Sequence, residues 1–555
     1  MRWRKYAIGA LVVVLALAGT VFAFRKQAIL YLVATVARNA TKVAPNREIV
    51  WERGPETAAV PVDQRPPNVV VILADDLGWN DISFFGGGVA GGRVPTAQID
   101  SLAREGVTFD AGYAGNATCA PSRAAILTGR YPTRVGFEFT PTPKGMSRIL
   151  DLFYNDGTRP HELLVDQAVA DKSPDFADQG LPGSEITIAE LLRPVGYHSI
   201  HIGKWHLGNA AAFAPLAQGF DETVMMESGL YLPEDDPQVE NAKVPFDPID
   251  QFLWARMQYA TSYNGGELFA PKGYLTDFYT DEAVKAIEAN RNRPFFLYLA
   301  QWGVHSPLQA TKSDYDALSE IKDHRLRVYA AMVRALDRSV GRVLRALQEN
   351  GLEQNTMVIF TSDNGGAGYI GLPEVNQPYR GWKLTFFEGG IRAPLFVKWP
   401  ARIAPGSRNA SAVAHIDILP TIAGAAGAPL PSDREIDGVN LLPFVDGSGK
   451  AGEPHDALFW RSGYYQAVRA HGWKLQVSER PAKAWLYDLN EDPTEKVNLA
   501  DQRPDKVAEL RALLDAHNSE QSEPLYGGAG QVPVLIDKTL EEPGTADDEY
   551  IYWPG

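Results

Sequence analysis

The sequence has a single cysteine, Cys119, among 555 residues, so no disulfide can form within the chain. It also has no excess of positive charge, because 53 lysines and arginines against 68 aspartates and glutamates give a formal net charge of -15. Nucleic-acid-binding proteins usually carry a basic patch, so this balance argues against a nucleic-acid partner. The chain contains no internal repeat, and its length allows one large domain and a smaller one.

A long apolar run occurs only at the N-terminus. Residues 7–24 carry no charge and follow the basic segment MRWRKY. As a helix they would span about 27 Å, close to the thickness of a bilayer core. The run is either a signal peptide cleaved after Ala23 or an uncleaved membrane anchor, and Arg25 and Lys26 directly after it favour the anchor. Both interpretations predict an extracytoplasmic protein, periplasmic or secretory.

Changes in composition and hydrophobic pattern along the chain predict five segments. They are an anchor or signal segment at 1–43, a proline-rich linker at 44–67, a catalytic domain at 68–428, an α+β subdomain at 429–524 and a tail at 525–555. The subdomain is predicted from four short strand-like runs between residues 457 and 489, which indicate an antiparallel sheet, and from a helix after residue 502. The tail is either a strap over the main domain or disordered.

The segment 68–428 predicts an α/β fold with a large, mostly parallel sheet between helices, because short apolar runs alternate there with longer periodic segments. The predicted strands are Asn68–Ala74, Tyr197–Ile202, Pro294–Ala300 and Thr356–Ser362. The predicted helices are Thr96–Glu105, Glu185–Pro194, Thr276–Asn290 and His324–Asn350.

Polar side chains follow all four predicted strands where each strand ends. These residues are Asp75 and Asp76, Lys204 and His206, His305, and Asp363 and Asn364. In open parallel sheets, ligands bind beyond the carboxyl ends of the strands, so we expect these side chains to meet at one edge. Each alone has a structural explanation, such as a helix cap or a turn at SDNGG. Their coincidence at four strand ends favours a functional site.

Four of these residues offer only oxygen ligands, which suit a hard divalent cation, Ca²⁺ or alternatively Mg²⁺. They are Asp75, Asp76, Asp363 and Asn364. Zinc would be expected to recruit histidine or thiolate and is the second choice. The basic residues expected beside the cation are Arg123, Lys204, His206 and Lys383. A cation with basic groups in an acidic protein is the expected pocket for a small oxyanion ester.

The stretch CAPSRAAIL predicts a loop entering a helix, with Pro121 in the first turn. Cys119 would then lie at a helix N-terminus, where backbone N–H groups favour anions. In an exported protein an unpaired cysteine suggests a reactive group, and a buried, inert thiol is the alternative.

Taken together, these residues resemble the type I, formylglycine-dependent sulfatases, an arylsulfatase-like family of the alkaline-phosphatase superfamily. The resemblance rests on the signature Cys-x-Pro-x-Arg followed by Leu-Thr-Gly-Arg, which occupies positions 119–123 and 127–130. The matching segments extend from about residue 68 to about residue 425. The resemblance implies an alkaline-phosphatase-like sheet and a sulfuric ester hydrolase that cleaves a small-molecule or saccharide sulfate.

The resemblance also implies a role for each site residue. Cys119 would be converted by a formylglycine-generating enzyme to Cα-formylglycine, whose hydrate attacks sulfur, expels the alcohol and then eliminates sulfate. Asp75, Asp76, Asp363, Asn364 and modified Cys119 would hold the metal. Arg123 and Lys204 would hold the formylglycine, and His206 would assist elimination. His305 and Lys383 would contact sulfate and protonate the leaving oxygen, with Lys204 also facing the substrate.

Three alternatives stay open at the level of sequence. A phosphonate or phosphate ester hydrolase of the same superfamily could use the same machinery. A membrane-tethered binding protein could keep the fold without catalysis, although the complete set of site residues argues against it. A cysteine hydrolase pairing the Cys119 thiolate with His206 would leave the oxygen ligands unexplained.

Overall fold

The computed structural model describes residues 6, 24–40, 42–447 and 452–555. Its strands are β1 Asn68–Ala74, β2 Val107–Tyr113, β3 Leu164–Val165, β4 His198–Gly203, β5 Glu222–Gly229, β6 Val239–Ala242, β7 Tyr259–Tyr263, β8 Phe295–Ala300, β9 Leu308–Thr311, β10 Thr356–Ser362, β11 Leu395–Lys398, β12 Ser407–Ala414, β13 Ala457–Ser462, β14 Tyr465–Ala470, β15 Trp473–Glu479, β16 Ala482–Asp488, β17 Gly530–Leu535 and β18 Tyr550–Pro554.

The α-helices of the same residues range from one turn to seven. They are α1 Arg25–Ala40, α2 Val89–Gly92, α3 Ala97–Glu105, α4 Cys119–Thr128, α5 Met146–Tyr154, α6 Gln167–Lys172, α7 Ile188–Leu192, α8 Pro248–Arg256, α9 Leu275–Asn290, α10 Lys312–Asp316, α11 His324–Glu349, α12 Glu388–Ile391, α13 Ile418–Ala426 and α14 Pro504–Asn518.

A nine-stranded sheet forms the centre of the molecule, in the order β12-β2-β11-β10-β1-β8-β4-β5-β7. The pairs β10–β1, β1–β8, β8–β4 and β4–β5 are all parallel, whereas β11 and β7 run antiparallel to their neighbours. The predicted large, mostly parallel sheet is therefore confirmed. Because β10, β1, β8 and β4 are adjacent and parallel, their carboxyl ends meet at one edge.

Helices cover both faces of this sheet. Along β1, Val69, Val71 and Leu73 face an apolar cluster that includes α4, α7 and α13. The alternate residues Val70 and Ile72 face a second cluster that includes α9 and α11. A strand buried on both faces is apolar at every position, which is why NVVVILA shows no alternation.

The four predicted strands all exist, and two of them, β1 and β10, have the predicted bounds. Three of the four predicted helices correspond to α3, α9 and α11 within one residue at either end. The helix predicted at Glu185–Pro194 is shorter: Thr187 caps α7 by accepting a hydrogen bond from the backbone N–H of Glu190. A 3-10 turn, Arg193–Val195, replaces its predicted end at Pro194.

The C-terminal part confirms the predicted antiparallel sheet, since β13, β14, β15 and β16 pair in that order and the helix α14 packs on them. The tail is the strap rather than a disordered segment. Its two strands pair with each other, and β17 pairs with β3 of the main domain. The sequence did not indicate these strands. The five predicted segment boundaries stay predictions.

The apolar run predicted as anchor or signal lies, except for Phe24, outside the described residues. Among the residues that are described, no helix combines the length and the apolar character needed to cross a bilayer. Helix α1 contacts α8, and its Lys26 donates a hydrogen bond to the Phe153 carbonyl of α5 at 3.3 Å.

One fully buried lysine joins the C-terminal sheet to the main domain. Lys474 of β15 lies 2.9 Å from Glu388 and 3.0 Å from Glu495, and all three side chains are inaccessible to solvent. Glu388 begins α12, which ends the segment that carries Lys383. Burial raises the pKa of Glu495, whereas for Glu388 the charge of Lys474 outweighs burial and lowers the pKa. The lysine charge is therefore what keeps two adjacent carboxylates buried.

We predict that Lys474→Ala lowers the free energy of unfolding by about 3–5 kcal/mol, because it leaves the buried Glu495 without its counter-ion, while Glu388 keeps only Arg392. The matched control is Lys483→Ala on the neighbouring strand, an exposed lysine that pairs with the half-buried Glu549; its loss should be about 0–1 kcal/mol. Urea denaturation of the two variants measures the difference. Equal midpoints would contradict a structural role for Lys474.

Candidate active site

Two of the strands are followed directly by aspartates, and backbone hydrogen bonds connect the two strand ends. Asp75 follows β1 and Asp363 follows β10, and the Asp363 N–H donates to the Ala74 carbonyl at 3.1 Å. The Asp76 N–H donates to Oδ1 of Asp363 at 3.3 Å. The parallel register Ala74–Ser362 thus fixes the distance between the two acidic loops.

The loop after Asp363 depends on glycine. A Cβ on Gly365 would lie 1.9 Å from the carbonyl oxygen of Gly389, so no other residue fits without displacing the backbone. This close approach brings the loop that carries Asp363 and Asn364 against the segment that carries Lys383. Gly365 of SDNGG and Gly389 of EGG are therefore required for packing as well as for the turns they form.

Cys119 is the first residue of α4, as predicted. The helix has ten residues, all of them buried, and it ends at Gly129, whose φ of 67° is the left-handed conformation that glycine adopts most easily. The thiol of Cys119 lies 3.6 Å from Oδ1 of Asp75 and 3.9 Å from Oδ1 of Asp76. The only cysteine of the chain therefore combines a helix N-terminus with the acidic strand ends.

Arg123 lies one turn further along α4 and bridges two of the carboxylates. Its Nη2 lies 2.9 Å from Oδ2 of Asp75 and 2.8 Å from Oδ2 of Asp363, and its Nη1 donates to the Lys204 carbonyl at 2.8 Å. All three charged side chains are fully buried. Arginine suits this position because its planar fork can serve several acceptors at once.

Two lysines complete the charge balance. Lys204 lies 2.6 Å from Oδ2 of Asp75. Lys383 lies 2.9 Å from Oδ2 of Asp76 and donates a hydrogen bond to the sulfur of Cys119 at 3.2 Å. Burial alone would raise the pKa of Asp76, but Lys383, His305 and Lys204 outweigh it and hold the pKa below its ordinary range. Lys383 is thus a basic residue in direct contact with the sulfur of Cys119.

A cation could bind among these oxygens. Ligand atoms of Asp75, Asp76, Cys119 and His305 all lie within 4.8 Å of one another. The Oδ1 atom of Asn364 is buried there without a hydrogen-bond partner, although its Nδ2 donates to Asp76 at 2.7 Å. An unsatisfied carbonyl oxygen beside carboxylates is the donor set of a hard divalent cation, so these residues fit such an ion.

The two predicted histidines border the same space. His305 donates through Nδ1 to the Ser306 carbonyl at 2.6 Å, which leaves its Nε2 facing Asp76 at 3.7 Å. Burial lowers the pKa of His305 to about 3, although Asp76 opposes the shift. Burial and then the charge of Lys204 lower the pKa of His206, whose Nδ1 has no recorded partner. Both imidazoles are therefore neutral before substrate binds.

Backbone conformation also marks the site. Asp76 and His206 have positive φ angles of 59° and 66°, which non-glycine residues adopt at a cost of about 1–3 kcal/mol. Leu384, next to Lys383, has a φ of 78°. Such conformations concentrate at functional sites because the surrounding structure holds them in place.

Two aromatic residues of the site were missed at the level of sequence. The Tyr369 hydroxyl donates to Oδ2 of Asp76 at 2.8 Å and accepts from Lys383 at 3.3 Å. The Trp302 ring stacks on His305 with ring centres 4.1 Å apart and lies 4.7 Å below Lys204. Tyr369 lies five residues after Asn364, and Trp302 lies three residues before His305, so both belong to loops that the sequence had identified. A single aromatic residue in a loop, however, does not by itself indicate a functional site.

The thiol is not poised to act as a nucleophile itself. Burial and then the charge of Asp363 raise the pKa of Cys119 well above its ordinary value, despite the nearby lysines. A nucleophilic cysteine needs the opposite shift. The cysteine-hydrolase interpretation is therefore disfavoured on electrostatic grounds.

Comparison with known proteins decides the family. The sulfatase family model matches residues 67–428, about two thirds of the chain. This chain belongs to the sulfatase family. The model of the C-terminal region of N-sulphoglucosamine sulphohydrolase also matches residues 381–522 of the sulfatase.

Individual relatives agree with this result. The sulfatase is 34% identical to mouse N-acetylgalactosamine-6-sulfatase over 422 residues, which cover 74% of this chain and 72% of the relative. It is 32% identical to mouse steryl-sulfatase over 558 residues, 81% of either chain. The structure of Ps i-CgsB in complex with k-i-k-neocarrahexaose is similar with a TM-score of 0.68 and 29% identity, over 83% of this chain and 95% of that chain.

The sulfatase is therefore a sulfuric ester hydrolase with the fold predicted from the sequence. Its Asp75, Asp76 and Cys119 form a group able to bind a metal, as the predicted chemistry requires. The individual roles assigned to the other site residues stay predictions.

We predict that Asp76→Asn removes divalent-cation binding, because it deletes the charge of the carboxylate that contacts the Asn364 amide at 2.7 Å. A cation at saturating concentration should raise the melting temperature of chelator-treated wild-type protein, since a ligand of the native state stabilises it by about 2.7 kcal/mol at 100 times its Kd. Asp110→Asn, which alters a surface ion pair with Arg408, is the control and should keep the full increase. The same increase in Asp76→Asn would place the cation elsewhere.

Proposed function

We propose that this sulfatase hydrolyses a sulfate monoester, of a small molecule or a saccharide, with a Ca²⁺ ion and a Cα-formylglycine made from Cys119. The observation that carries the proposal is the position of Cys119 at the start of α4, 3.6 Å from Asp75 and 3.2 Å from Lys383. Mg²⁺ is the alternative cation, since the same oxygen ligands suit it. The relatives named for galactosamine sulfate and steryl sulfate support the sulfate ester as the substrate.

When bound, the cation and the hydrated formylglycine would together supply a hydroxyl nucleophile and polarise the ester oxygens. The chain supplies the surrounding charges. Asp75, Asp76, Asp363 and Asn364 would hold the cation. Arg123 supplies a positive charge between Asp75 and Asp363 in the interior, because its guanidinium contacts both carboxylates.

Proton transfer falls to the lysines and histidines that border the cation. Lys383 stays protonated, because the charge of Asp76 raises its pKa against the effect of burial. It can therefore donate to a sulfate oxygen or to the leaving group. His305 is held with its Nε2 towards the site, and an arriving sulfate adds negative charge that favours its protonation. Lys204 would orient the nucleophile, and His206, neutral and buried, would accept a proton during sulfate release.

A phosphonate or phosphate ester hydrolase is the second candidate, because a phosphonate ester resembles a sulfate ester in shape and charge. The sulfatase family match and the relatives named as sulfatases favour the sulfate ester.

We propose an extracytoplasmic location with residues 7–24 as a membrane anchor or, alternatively, a cleaved signal peptide. The charge-free run and the basic residues on both sides of it support this proposal. Exposed apolar side chains at Tyr31, Leu32 and Val36 of α1, directly after the run, are compatible with a membrane surface. Maturation would require a formylglycine-generating enzyme as a partner.

We predict that the peptide Glu105–Arg123 from protein made in its native host has an aldehyde oxygen in place of the thiol of Cys119. Mass spectrometry of a tryptic digest measures the change. Cys119→Ala is the control, since its peptide keeps the encoded mass and the protein loses turnover. Fully active protein with an unaltered thiol would exclude the proposed nucleophile.

We predict that His305→Ala lowers kcat/KM for alkyl sulfates by about 10²–10⁴, the usual contribution of a general acid. The loss should be much smaller for 4-nitrophenyl sulfate, whose leaving oxygen needs no proton. His324→Ala, which changes an exposed histidine, should leave both rates unchanged. Equal losses on both esters in His305→Ala would assign the residue to sulfate binding instead.

A further inference from the structure

A cavity of about 320 Å³ leads away from the site described above. Its inner end is formed by Cys119, His206, His305 and Lys383. Any ester whose sulfate reaches Cys119 must therefore place its alcohol part in this cavity. The volume lies at the lower end of the range of about 300–1,000 Å³ typical of pockets for drug-sized ligands.

The outer wall of the cavity is apolar and comes from three separate parts of the chain. Its apolar side chains include Leu150 and Tyr154 of α5, Pro248 and Leu253 of α8, and Val532 and Leu535 of the tail strand β17. The tail strand is held there by its pairing with β3 and by the Tyr154 hydroxyl, which donates to the Pro533 carbonyl at 3.2 Å. The strap is thus a structural part of the cavity.

The charged groups in this outer wall already have partners. Arg159 donates to the carbonyls of Tyr154 and Phe246 at 2.8 and 2.7 Å. Lys538 donates to Asp548 at 2.8 Å. These cations are therefore engaged in holding the wall rather than presented to a ligand.

An acidic and an imidazole side chain of the wall, Asp247 and His161, also make contacts within the protein. Asp247 caps α8 by accepting the N–H groups of Ile249 and Asp250 at 3.0 and 3.2 Å. His161 stacks on Tyr550 with ring centres 3.7 Å apart, and its Nε2 has no hydrogen-bond partner in the described part of the chain. The other unpartnered polar atoms of the cavity, His206 Nδ1, Ser306 Oγ and Trp382 Nε1, belong to or directly adjoin the catalytic residues rather than the α5, α8 and β17 wall. A sugar needs several directed hydrogen bonds to replace those that its hydroxyls make with water. A hydrocarbon surface needs none.

We propose that the alcohol part of the substrate is a bulky hydrocarbon, a fused-ring aryl or alicyclic alcohol, rather than a sugar. Leu150, Leu253 and Leu535 bind it, and Leu535 makes the C-terminal strap a specificity-determining element. This inference rests on the proposed sulfate-ester function. Transfer of the hydrocarbon from water into the apolar wall supplies the binding energy.

The first experiment compares three primary alkyl sulfates with the same type of leaving oxygen: galactose 6-sulfate, cyclohexylmethyl sulfate and decahydronaphthylmethyl sulfate. The first two share a six-membered ring and differ chiefly in their hydroxyl groups. We expect kcat/KM to increase in that order, with roughly 100-fold between the sugar and the fused-ring ester, because each buried CH₂ contributes. A preference for galactose 6-sulfate would overturn the proposal.

The second experiment tests the wall itself. Leu535→Gln should lower the ratio of kcat/KM for the fused-ring ester to that for cyclohexylmethyl sulfate by about tenfold, because it places an amide against the outer ring. Leu430→Gln is the matched control, since Leu430 is 42% exposed and does not line the cavity, and its ratio should equal that of the wild type. An unchanged ratio in both Leu535→Gln and Leu253→Gln would overturn the assignment of the wall.

A third measurement separates this inference from the catalytic proposal. Cys119→Ala protein should bind decahydronaphthylmethanol in a calorimetric titration, whereas galactose should give no heat of binding. If the wild type turns over none of the esters but this binding is observed, the proposed function fails and the apolar site remains. If the alcohol does not bind, the apolar site is wrong even for an enzyme that cleaves sulfate esters.

Discussion

The site depends on one buried guanidinium. Arg123 is fully enclosed and contacts the carboxylates of Asp75 and Asp363, which lie at the ends of neighbouring parallel strands. Without that charge, Asp75 would keep Lys204 as a partner, but the buried carboxylate of Asp363 would lose the cation that compensates its burial. Arg123 belongs to the same helix, α4, whose first residue is Cys119. The spacing of four residues between the cysteine and the arginine in the sequence is thus a geometric requirement, since it places both on one helix face.

Much of the architecture could be predicted, because fully buried parallel strands leave an unambiguous pattern. The runs at β1 and β10 gave the right bounds, and the polar residues that follow them did meet at one edge. The tail gave no such pattern, because in β18 the buried Ile551 and Trp553 alternate with the aromatic, partly buried Tyr550 and Tyr552, so the sequence shows no polar face. Tyr369 and Trp302 were missed for a related reason: what makes them part of the site is three-dimensional contact with Asp76 and His305, which leaves no trace in local sequence.

The C-terminal sheet contributes to the site without entering it. Lys474 holds Glu388 in the interior, and Glu388 belongs to the same segment as Lys383, five residues earlier. The approach of Gly389 to Gly365 then sets this segment against the loop of Asp363. A buried ion pair far from the substrate therefore helps to determine where the lysine beside Cys119 points.

The strap has a consequence for how such a protein diversifies. The residues that perform the chemistry lie at strand ends deep in the sheet, where almost any substitution disturbs packing or charge. The wall formed by β17 is attached through a few backbone hydrogen bonds to the two-residue strand β3. A substitution at Leu535 can therefore reshape the cavity while the strand ends that carry Asp75 and Asp363 stay in place, whereas the buried Ile551 and Trp553 constrain the rest of the strap.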